Sequence, residues 1–399
     1  MIASRRFRAL LALIAVVVES AAAPDWADIL NEARGQTVYW NAWGGDARVN
    51  RHIAWAAAAA QQAFGIEVRH VKLADTADAV SRVLAEKSAG RTSGGSVDLL
   101  WVNGENFAAM KQHGLLYGPF VHLLPNHHWL DTNNLPLLSD FTVPADGLEA
   151  PWSVAQLVLL FDRDRLTTPP RTPDALLAWA RAHPGRFAYP RPPDFLGTTF
   201  LKQLLLQLTT NHPALGSPAT AAEFQRWTTP LWQYLDALHP HVWRQARAFP
   251  GGGPALVRLL ADAEVDLTLA FSPEAAASGI LSGQLPGTAR TTGFEGGSIG
   301  NVSFLAIPFN SRSRSGALVL ANFLLSPVAQ ARKQDPSEMG ARTVLAVERL
   351  DPADRDLFER LPRHEASPSP GDLGPLLPEP HPYWMDRLEQ EWERRYGGR

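Results

Sequence analysis

The sequence of 399 residues predicts a two-lobed α/β protein with doubly wound sheets. Strand-like hydrophobic runs alternate with helical segments from residue 37 onward, which is typical of consecutive βα units. The pattern changes near Pro151, where a second series of strands and helices begins. A chain of this length also exceeds the size at which a single hydrophobic core usually stops growing. We therefore expect two lobes, joined where the chain passes from one series to the other.

Three βα units form the first series and predict a largely parallel sheet. An apolar, β-branched or aromatic run begins each unit, and a helical segment follows it. Glycines end two of these helices, at Gly65 and Gly114. The predicted strands are Thr37–Trp40, Glu67–Lys72 and 97–102, and the predicted helices are Val49–Phe64, 75–89 and Glu105–Gln112.

Prolines and glycines punctuate the second series, which begins at "PWSVAQLVLLFDRDRL", continues through "LAFSPEAAASG" and reaches the strand "NVSFLAIPFN". The chain is expected to cross between the lobes near residues 145–155 and again near 290–300. This organisation assigns 36–150 plus 295–330 to lobe 1, and 151–294 plus 331–399 to lobe 2.

The first 23 residues have the shape of a secretory signal peptide. Arginines at positions 5, 6 and 8 precede an apolar run from Ala9 to Val18, and small residues follow at 20–23. That run is shorter than the ~20 apolar residues that a membrane-spanning helix requires. We therefore expect residues 1–23 to be removed on export, and the mature protein to be soluble in the periplasm.

The composition excludes several classes of function. The formal net charge of −3 provides no broad basic surface for nucleic acid. The chain contains no cysteine, which excludes thiolate metal sites, iron–sulfur clusters and cysteine nucleophiles. Thirteen tryptophans are available for packing in a core or for stacking on a ligand.

Three motifs suggest catalysis or cofactor binding, and the context of each argues against it. "GGSIG" at Gly296–Gly300 fits the nucleophile turn of hydrolases, but a strand follows where that turn requires a helix. Histidines at 122, 127 and 128 lie in a proline-broken loop without the spacing of a helical metal site. The glycines at 251–253 lack the lysine and serine of a phosphate-binding loop. We therefore predict no catalytic residue, no metal and no cofactor.

Polar turns follow four of the predicted strands, at "YWNAWGG", "WVNGENF", "YPRPPDFLGTTF" and "LAFSPEAAASG". Helix capping alone explains each turn taken by itself. Four turns together favour a ligand site, because ligands of open α/β sheets bind outside the carboxyl ends of the strands. The residues predicted to contact ligand are Trp40, Asn41, Trp43, Gly44, Gly45, Asn103, Glu105, Asn106, Trp152, Thr198, Thr199, Phe271, Ser272, Glu274 and Asn301.

Longer segments resemble the bacterial extracellular solute-binding proteins of ABC importers, a broad family with maltose-, polyamine-, ferric-ion- and thiamine-binding members. The similar segments are "VDLLWVNGENFAAMKQHGLLYGPF" at 97–120, "APWSVAQLVLLFDRDRLTTPPRTPDALLAWARAHPGRFAYP" at 150–190 and "SPVAQARKQDPSEMGARTVL" at 326–345. The chain is most similar to a branch with "YWNAWGGD" near the amino end. The paired tyrosines of ferric-ion-binding members are not evident.

This resemblance implies the type II periplasmic binding fold, in which a hinge joins two lobes that close on a solute. It also implies a permease and an ATPase as partners on separate chains, and a protein that binds a solute without transforming it. We expect a monomer without a nucleic-acid partner.

The ligand and the role of the tryptophans stay open at this level. Trp40 and Trp43 are expected to flank the ligand cleft, and packing of both rings in the core is the alternative. An organic cation, such as a polyamine or a thiamine-like heterocycle, is favoured over a sugar by aromatic rings and carboxylates near the turns. A secreted hydrolase that uses carboxylates such as Glu105 and Glu295 is the alternative function. The carboxylates in or near the turns are Asp46, Glu105, Asp194, Glu274 and Glu295.

Overall fold

A computed structural model describes residues 25–398 of the chain. The predicted signal peptide at 1–23 lies outside the described residues, so its removal stays a prediction. Among the helices of 25–398, none combines the length and the hydrophobicity needed to cross a membrane.

Helices and strands alternate through three stretches of the chain. The amino-terminal stretch contains α1 (Trp26–Ala33), β1 (Thr37–Trp43), α2 (Ala47–Phe64), β2 (Glu67–Leu73), α3 (Ala77–Ser88), β3 (Leu99–Val102), α4 (Glu105–Gln112), β4 (Ser139–Asp140) and β5 (Val143–Pro144). The central stretch contains β6 (Glu149–Gln156), β7 (Val158–Asp162), α5 (Pro173–Ala182), α6 (Phe195–Leu208), α7 (Ala221–Leu238), α8 (Gly253–Ala261), β8 (Leu267–Ala270), α9 (Ala275–Leu281) and β9 (Ala289–Thr292). The carboxyl-terminal stretch contains β10 (Ser298–Ala306), α10 (Arg314–Leu324), α11 (Pro327–Gln334), α12 (Pro352–Glu359), α13 (Pro370–Leu373), β11 (Leu376–Leu377) and α14 (Pro382–Tyr396).

The first sheet has the strand order β2–β1–β3–β10–β11, and β6 also pairs with β10. β1 is parallel to both β2 and β3, so the carboxyl ends of these three strands meet at one edge. In the second sheet, β7 lies between β8 and β9 and is antiparallel to both. The turn before α4 lies at the carboxyl edge of the first sheet. This turn is the part of the candidate site that belongs to the first lobe.

β6 and β10 carry the chain between the lobes. They are antiparallel neighbours from the pair Gly300–Gln156 to the pair Ala306–Glu149. β10 is buried along its whole length, and its register shifts between Ser303 and Phe304, where it also begins to pair with β3. These two strands therefore form the connection on which any movement between the lobes depends.

Two hydrophobic clusters fill the molecule. The first consists of buried residues within 29–154 and 302–350, and the second of buried residues within 157–299 and 366–396. Val344, Leu345 and Leu350 pack in the first cluster, which favours assigning this segment to lobe 1 instead of lobe 2. The other predicted lobe boundaries stay a prediction.

β1 ends later than the sequence predicted. It continues to Trp43, because Asn41, Ala42 and Trp43 keep pairing with β2 up to Leu73. Trp40 and Asn41 are therefore interior strand residues, and the turn begins at Gly44. Ser298 of "GGSIG" is the first residue of β10, and its Oγ accepts a hydrogen bond from the Phe294 N–H at 2.9 Å. No helix follows it, which agrees with the argument against a nucleophile turn.

Candidate functional site

The turn between β3 and α4 places Glu105 at the surface of the first lobe that faces the second. Gly104 has a φ of 61°, and its N–H donates to Asp140 Oδ2 at 2.7 Å. A Cβ atom at position 104 would lie 2.8 Å from the Phe141 ring, so the turn requires glycine. The side-chain amide of Asn106 donates to Glu105 Oε1 at 2.8 Å. The turn thus holds Glu105 beside the Asp140 side chain.

The hairpin of β4 and β5 brings Asp140 and Phe141 to this turn. Phe141 and Thr142 have φ values of 39° and 69°, as a two-residue type I′ hairpin turn requires. Such values are costly for residues other than glycine, and they persist only where the surroundings enforce them. Lys111 of α4 secures the hairpin through an ion pair with Asp146 at 2.6 Å.

Helix α6 of the second lobe contributes a buried cation, Lys202. Its ammonium lies 2.6 Å from Glu379 Oε2, and the two side chains are only 1% and 2% exposed. The same ammonium lies 4.7 Å from the centroid of the Phe141 ring in the first lobe. Asn301 of the crossing strand β10 donates to Glu379 Oε1 at 3.4 Å. Lys202 therefore contacts a group from the opposite lobe and a group beside the crossing strands.

Helix α14 adds carboxyl groups from the carboxyl-terminal end of the chain. Glu389 Oε1 accepts a hydrogen bond from Thr198 Oγ1 at 2.7 Å, which fixes α14 to the start of α6. Burial raises the pKa of Glu105, and the negative charges of Glu389 and Asp386 raise it further. These groups belong to the same electrostatic environment as the turn before α4.

We call this assembly the acidic cluster. It consists of one ammonium and five carboxyl groups, which are those of Lys202, Glu105, Asp140, Glu379, Asp386 and Glu389. Burial raises the pKa of each carboxyl group. Burial raises the pKa of Glu105 to about 7, while the charge of Lys202 opposes the rise. The cluster therefore contains more acidic groups than its single lysine neutralises.

Two carboxyl oxygens of the acidic cluster are buried without a hydrogen-bond partner among residues 25–398, Asp140 Oδ1 and Glu379 Oε2, and the second of them is in ion-pair contact with Lys202. Asp140 is 1% exposed, and its Oδ1 finds no partner among residues 25–398. Both carboxyl oxygens of Glu149, which lies behind Asp140, are also unpartnered within that range. Unpartnered buried acceptors are costly, and a proton or an added donor satisfies them.

Four of the predicted site residues lie in or against the acidic cluster: Glu105, Asn106, Thr198 and Asn301. Thr199, the neighbour of Thr198, is fully buried in α6. Asn103 is half-buried just before the turn into α4. Ligand contact by any of these residues stays a prediction.

Trp43, Gly44 and Gly45 form an aromatic corner at the end of β1. Trp43 is 38% exposed, and its ring lies so close to Gly45 that a Cβ there would be 2.5 Å from a ring atom. A Cβ on Gly44 would be 2.7 Å from the side chain of Lys72. Both glycines therefore allow close approach of side chains, and part of the Trp43 ring is exposed to solvent.

Trp40 and Trp152 are both fully buried in the first hydrophobic cluster. Their ring centroids lie 5.5 Å apart in an edge-on arrangement, and Trp101 packs edge-on against Trp152 at 4.6 Å. Asn41 is also fully buried and donates to the Tyr39 carbonyl at 3.3 Å. In this conformation the two rings pack in the core, which is the alternative that the sequence left open for Trp40.

The remaining predicted residues lie at the end of β8 and have other contacts. Phe271 packs edge-on against Phe195 at 4.8 Å, and Ser272 donates to the Gly340 carbonyl at 3.2 Å. Glu274 accepts a hydrogen bond from Ser367 at 2.5 Å. Two further carboxylates near the predicted turns, Asp46 and Asp194, cap α2 and α6. The four turns therefore do not converge on a single set of contacts.

Six residues that build the cluster or seat its lysine are absent from the predicted set: Asp140, Phe141, Lys202, Glu379, Asp386 and Glu389. The sequence could have indicated Lys202 as a buried charge, because it is the only charged residue in the apolar run "FLKQLLLQL". A lone charge in a buried helix needs a partner. The sequence gives no such indication for Asp386 and Glu389, since they look like ordinary polar positions of an amphipathic helix.

Comparison with known proteins gives consistent results. Residues 54–338 match the model of a family described as bacterial extracellular solute-binding protein. Protein YnjB of Escherichia coli (strain K12) is 47% identical over 388 residues, which cover 97% of this chain and 98% of YnjB.

Two solved structures share the fold at low sequence identity. The periplasmic binding protein AfuA from Actinobacillus pleuropneumoniae, with fructose-6-phosphate bound, is 13% identical with a TM-score of 0.63. The spermidine/putrescine ABC transporter substrate-binding protein PotD from Streptococcus pneumoniae is 15% identical with a TM-score of 0.63. Each match covers 91% of this chain and 99% of the other. These matches confirm the predicted two-lobed fold class.

Proposed function

This chain belongs to the bacterial extracellular solute-binding proteins, and we propose on that premise that it captures a small organic cation between its two lobes. Proteins of this family bind small solutes and work with the permease and ATPase of an ABC transporter. The observation that carries the proposal is the acidic cluster, in which five carboxyl groups surround a single ammonium. A cation satisfies such a site, because it pairs with carboxylates that are otherwise costly to bury.

Charge separates the candidate classes of solute. A sugar phosphate, such as the one bound to AfuA, needs cationic groups or free N–H donors around its phosphate. In the acidic cluster the only cation is Lys202, which is already paired with Glu379. A polyamine or a heterocyclic cation needs carboxylates and aromatic faces, which the cluster and the exposed ring of Trp43 provide. A neutral sugar is the second candidate, because Trp43 offers it a stacking surface.

The hydrolase alternative receives no support from the family or the solved structures. The main-chain N–H of Glu295 donates a hydrogen bond to the Arg171 carbonyl in the second lobe. The Glu295 carbonyl accepts one from the side-chain amide of Gln207. Glu105 instead faces the acidic groups of α14. A binding role without chemistry on the solute is therefore the function we propose.

The cellular setting follows from the same premise. We propose that residues 1–23 direct export to the periplasm and that the mature protein is a monomer. It delivers its solute to a permease and an ATPase on separate chains, and nucleic acid is not a partner.

Native mass spectrometry of protein purified from the periplasm tests the proposal directly. The expected result is a bound species whose mass fits an organic cation and which is lost after dialysis against denaturant and refolding. Calorimetric titration of the stripped protein with spermidine, thiamine, maltose and fructose-6-phosphate then compares the classes. Binding of the sugar phosphate, with no response to either cation, contradicts the proposal.

A further inference from the structure

Lys202 is seated in the way that proteins seat an organic ammonium ligand. Its ammonium has a carboxylate, that of Glu379, at 2.6 Å on one side. The face of the Phe141 ring lies 4.7 Å away on another. Carboxylates and aromatic faces are the two groups that recognise amines and quaternary ammonium compounds. The side chain thus places an ammonium of its own between a carboxylate and an aromatic face.

The remaining groups of the cluster show room for further positive charge. Glu105, Asp386 and Glu389 have no cationic side chain in direct contact among residues 25–398. Independently, Asp140 Oδ1 is buried beside them and has no hydrogen-bond partner in the same range. Such an acceptor is satisfied by a proton on the carboxyl group or by a donor supplied from outside the described chain. Both observations point to a cationic ligand that binds next to Lys202.

We propose that Lys202 is a specificity-determining residue, because its ammonium fills one cation position of the acidic cluster and the solute supplies the others. The inference rests on the proposed function, since it concerns the same cleft. The role of Lys202 bears on the number of positive charges on the solute, which the proposed function leaves open. Replacing Lys202 with methionine vacates a position for one primary ammonium beside Glu379 and Phe141. The variant should then prefer an amine with one more charge than the natural protein prefers.

Two amines of equal carbon length, butylamine and 1,4-diaminobutane, test this directly. Their dissociation constants are measured by calorimetry at pH 8 for the natural chain and for Lys202→Met. We expect the ratio of the two constants to shift by about tenfold or more toward the diamine in Lys202→Met, the scale of one charge-assisted contact. An unchanged ratio overturns the inference. Equal tightening of both amines also overturns it, since Lys202 would then only compete with the ligand.

Two controls separate a vacated position from a general change of charge. In Lys202→Met/Glu379→Gln the position has lost its carboxylate, so the ratio should return toward that of the natural chain. Lys87→Met removes a lysine that contacts the main-chain oxygens of His113 and Gly114, outside the cluster, and should leave the ratio unchanged. A shift in Lys87→Met as large as that in Lys202→Met contradicts the inference.

If Lys202→Met folds poorly, thermal melting in the presence of an amine still tests the inference. Butylammonium chloride should raise the melting temperature of Lys202→Met more than sodium chloride does, and it should not do so for the double variant. Absence of this rescue overturns the inference. If cations bind the natural chain but the ratio does not move, the inference alone fails. If neither amine binds any variant and native mass spectrometry finds no cation, the proposed function fails together with it.

Discussion

Two buried lysines of this protein have opposite surroundings. Lys202 lies between the lobes, paired with Glu379 and surrounded by further carboxyl groups. Lys333 lies in the first lobe, where its ammonium contacts the Trp152 carbonyl and Gln330 Oε1 and no carboxylate. Burial lowers the pKa of Lys333 well below its ordinary value.

The difference shows what distinguishes the proposed ligand site from a polar feature of the core. Around Lys333 the acceptors are main-chain and amide oxygens, all of which also serve to fix α11 and β6. Around Lys202 the acceptors outnumber the donors, and Asp140 Oδ1 has neither a hydrogen-bond partner nor an ion-pair partner among residues 25–398. Burial is common to both lysines, so the proposed ligand site rests on the excess of acidic groups around Lys202 and not on burial.

The largest expected effect concerns the tryptophans of the core. Trp40→Ala should lower the free energy of unfolding by about 3–5 kcal/mol, because a fully buried ring leaves a cavity. Trp43→Ala should change it by less than about 1 kcal/mol, since its ring is partly exposed. Urea unfolding of both variants measures the contrast. Equal losses would mean that Trp43 also belongs to the core.

Glu105→Gln should weaken binding of an organic cation by about 1.5–3 kcal/mol, the range for hydrogen bonds to a charged group. The variant retains the shape of the side chain and loses only its charge. Binding of a neutral sugar should therefore be nearly unaffected. Calorimetric titration with spermidine and maltose decides between these outcomes, and equal affinity of the variant and the natural chain for spermidine would remove Glu105 from the site.

Lys333→Met should change how stability depends on pH. The pKa of Lys333 is lowered on folding, so the unfolded chain holds a proton that the folded chain lacks. The free energy of unfolding should therefore rise between pH 8 and pH 10 by up to about 1.4 kcal/mol per unit. Lys333→Met should lose this slope. Denaturant titrations at several pH values test it, and an identical slope in the variant contradicts a neutral Lys333.

The affinity for an organic cation should rise by up to about tenfold between pH 6 and pH 8, because the ligand binds the ionised form of a carboxyl group that titrates in this window. Burial raises the pKa of Glu105 to about 7, and the titratable groups that face it are Lys202, Glu389, Asp386 and Asp140. Stability of the ligand-free protein should move in the opposite direction. A carboxyl group whose pKa rises on folding stabilises below its unfolded pKa, and this contribution is lost as the pH rises through 7. Glu105→Gln should flatten both profiles.

The smallest expected effect is that of Trp43 on binding. Trp43→Ala should weaken binding of an organic cation by about 0.5–1 kcal/mol, as expected for a cation–π contact at an exposed ring. Trp43→Phe serves as the matched control and should retain part of this contribution. Calorimetry with spermidine and thiamine measures it. A loss restricted to maltose would assign the ring to sugar stacking.

The sequence predicted those parts of the fold that depend on local pattern. Helix α4 begins and ends as expected, and α2 ends at Phe64, just before the capping residue Gly65, whose φ is 71°. Glu105 was identified because it follows a buried strand at the edge where ligands bind. Trp40 was predicted to flank the ligand cleft and instead packs in the core, because an aromatic residue near the end of a strand has the same pattern in either role.

The rest of the cluster depends on contacts between distant segments. Lys202 meets Glu379 and Phe141 only after α6, β11 and the β4–β5 hairpin have assembled. Glu389 reaches Thr198 because α14 packs against α6. Periodicity gives the buried face of a helix but not the identity of its partner, so these pairings could not be derived from the pattern.

The position of β10 beside β3 also determines when the chain can fold. β3 lacks one neighbour until β10 has been synthesised, long after β1 and β2. The second hydrophobic cluster is completed only by Trp384 and Trp392 of α14, at the end of the chain. The first core can close once Leu350 has been synthesised, whereas the second also needs Trp384 and Trp392, and pairings between such distant segments form slowly. The segments of the second core therefore stay accessible for longer to chaperones and translocases that act on unfolded proteins.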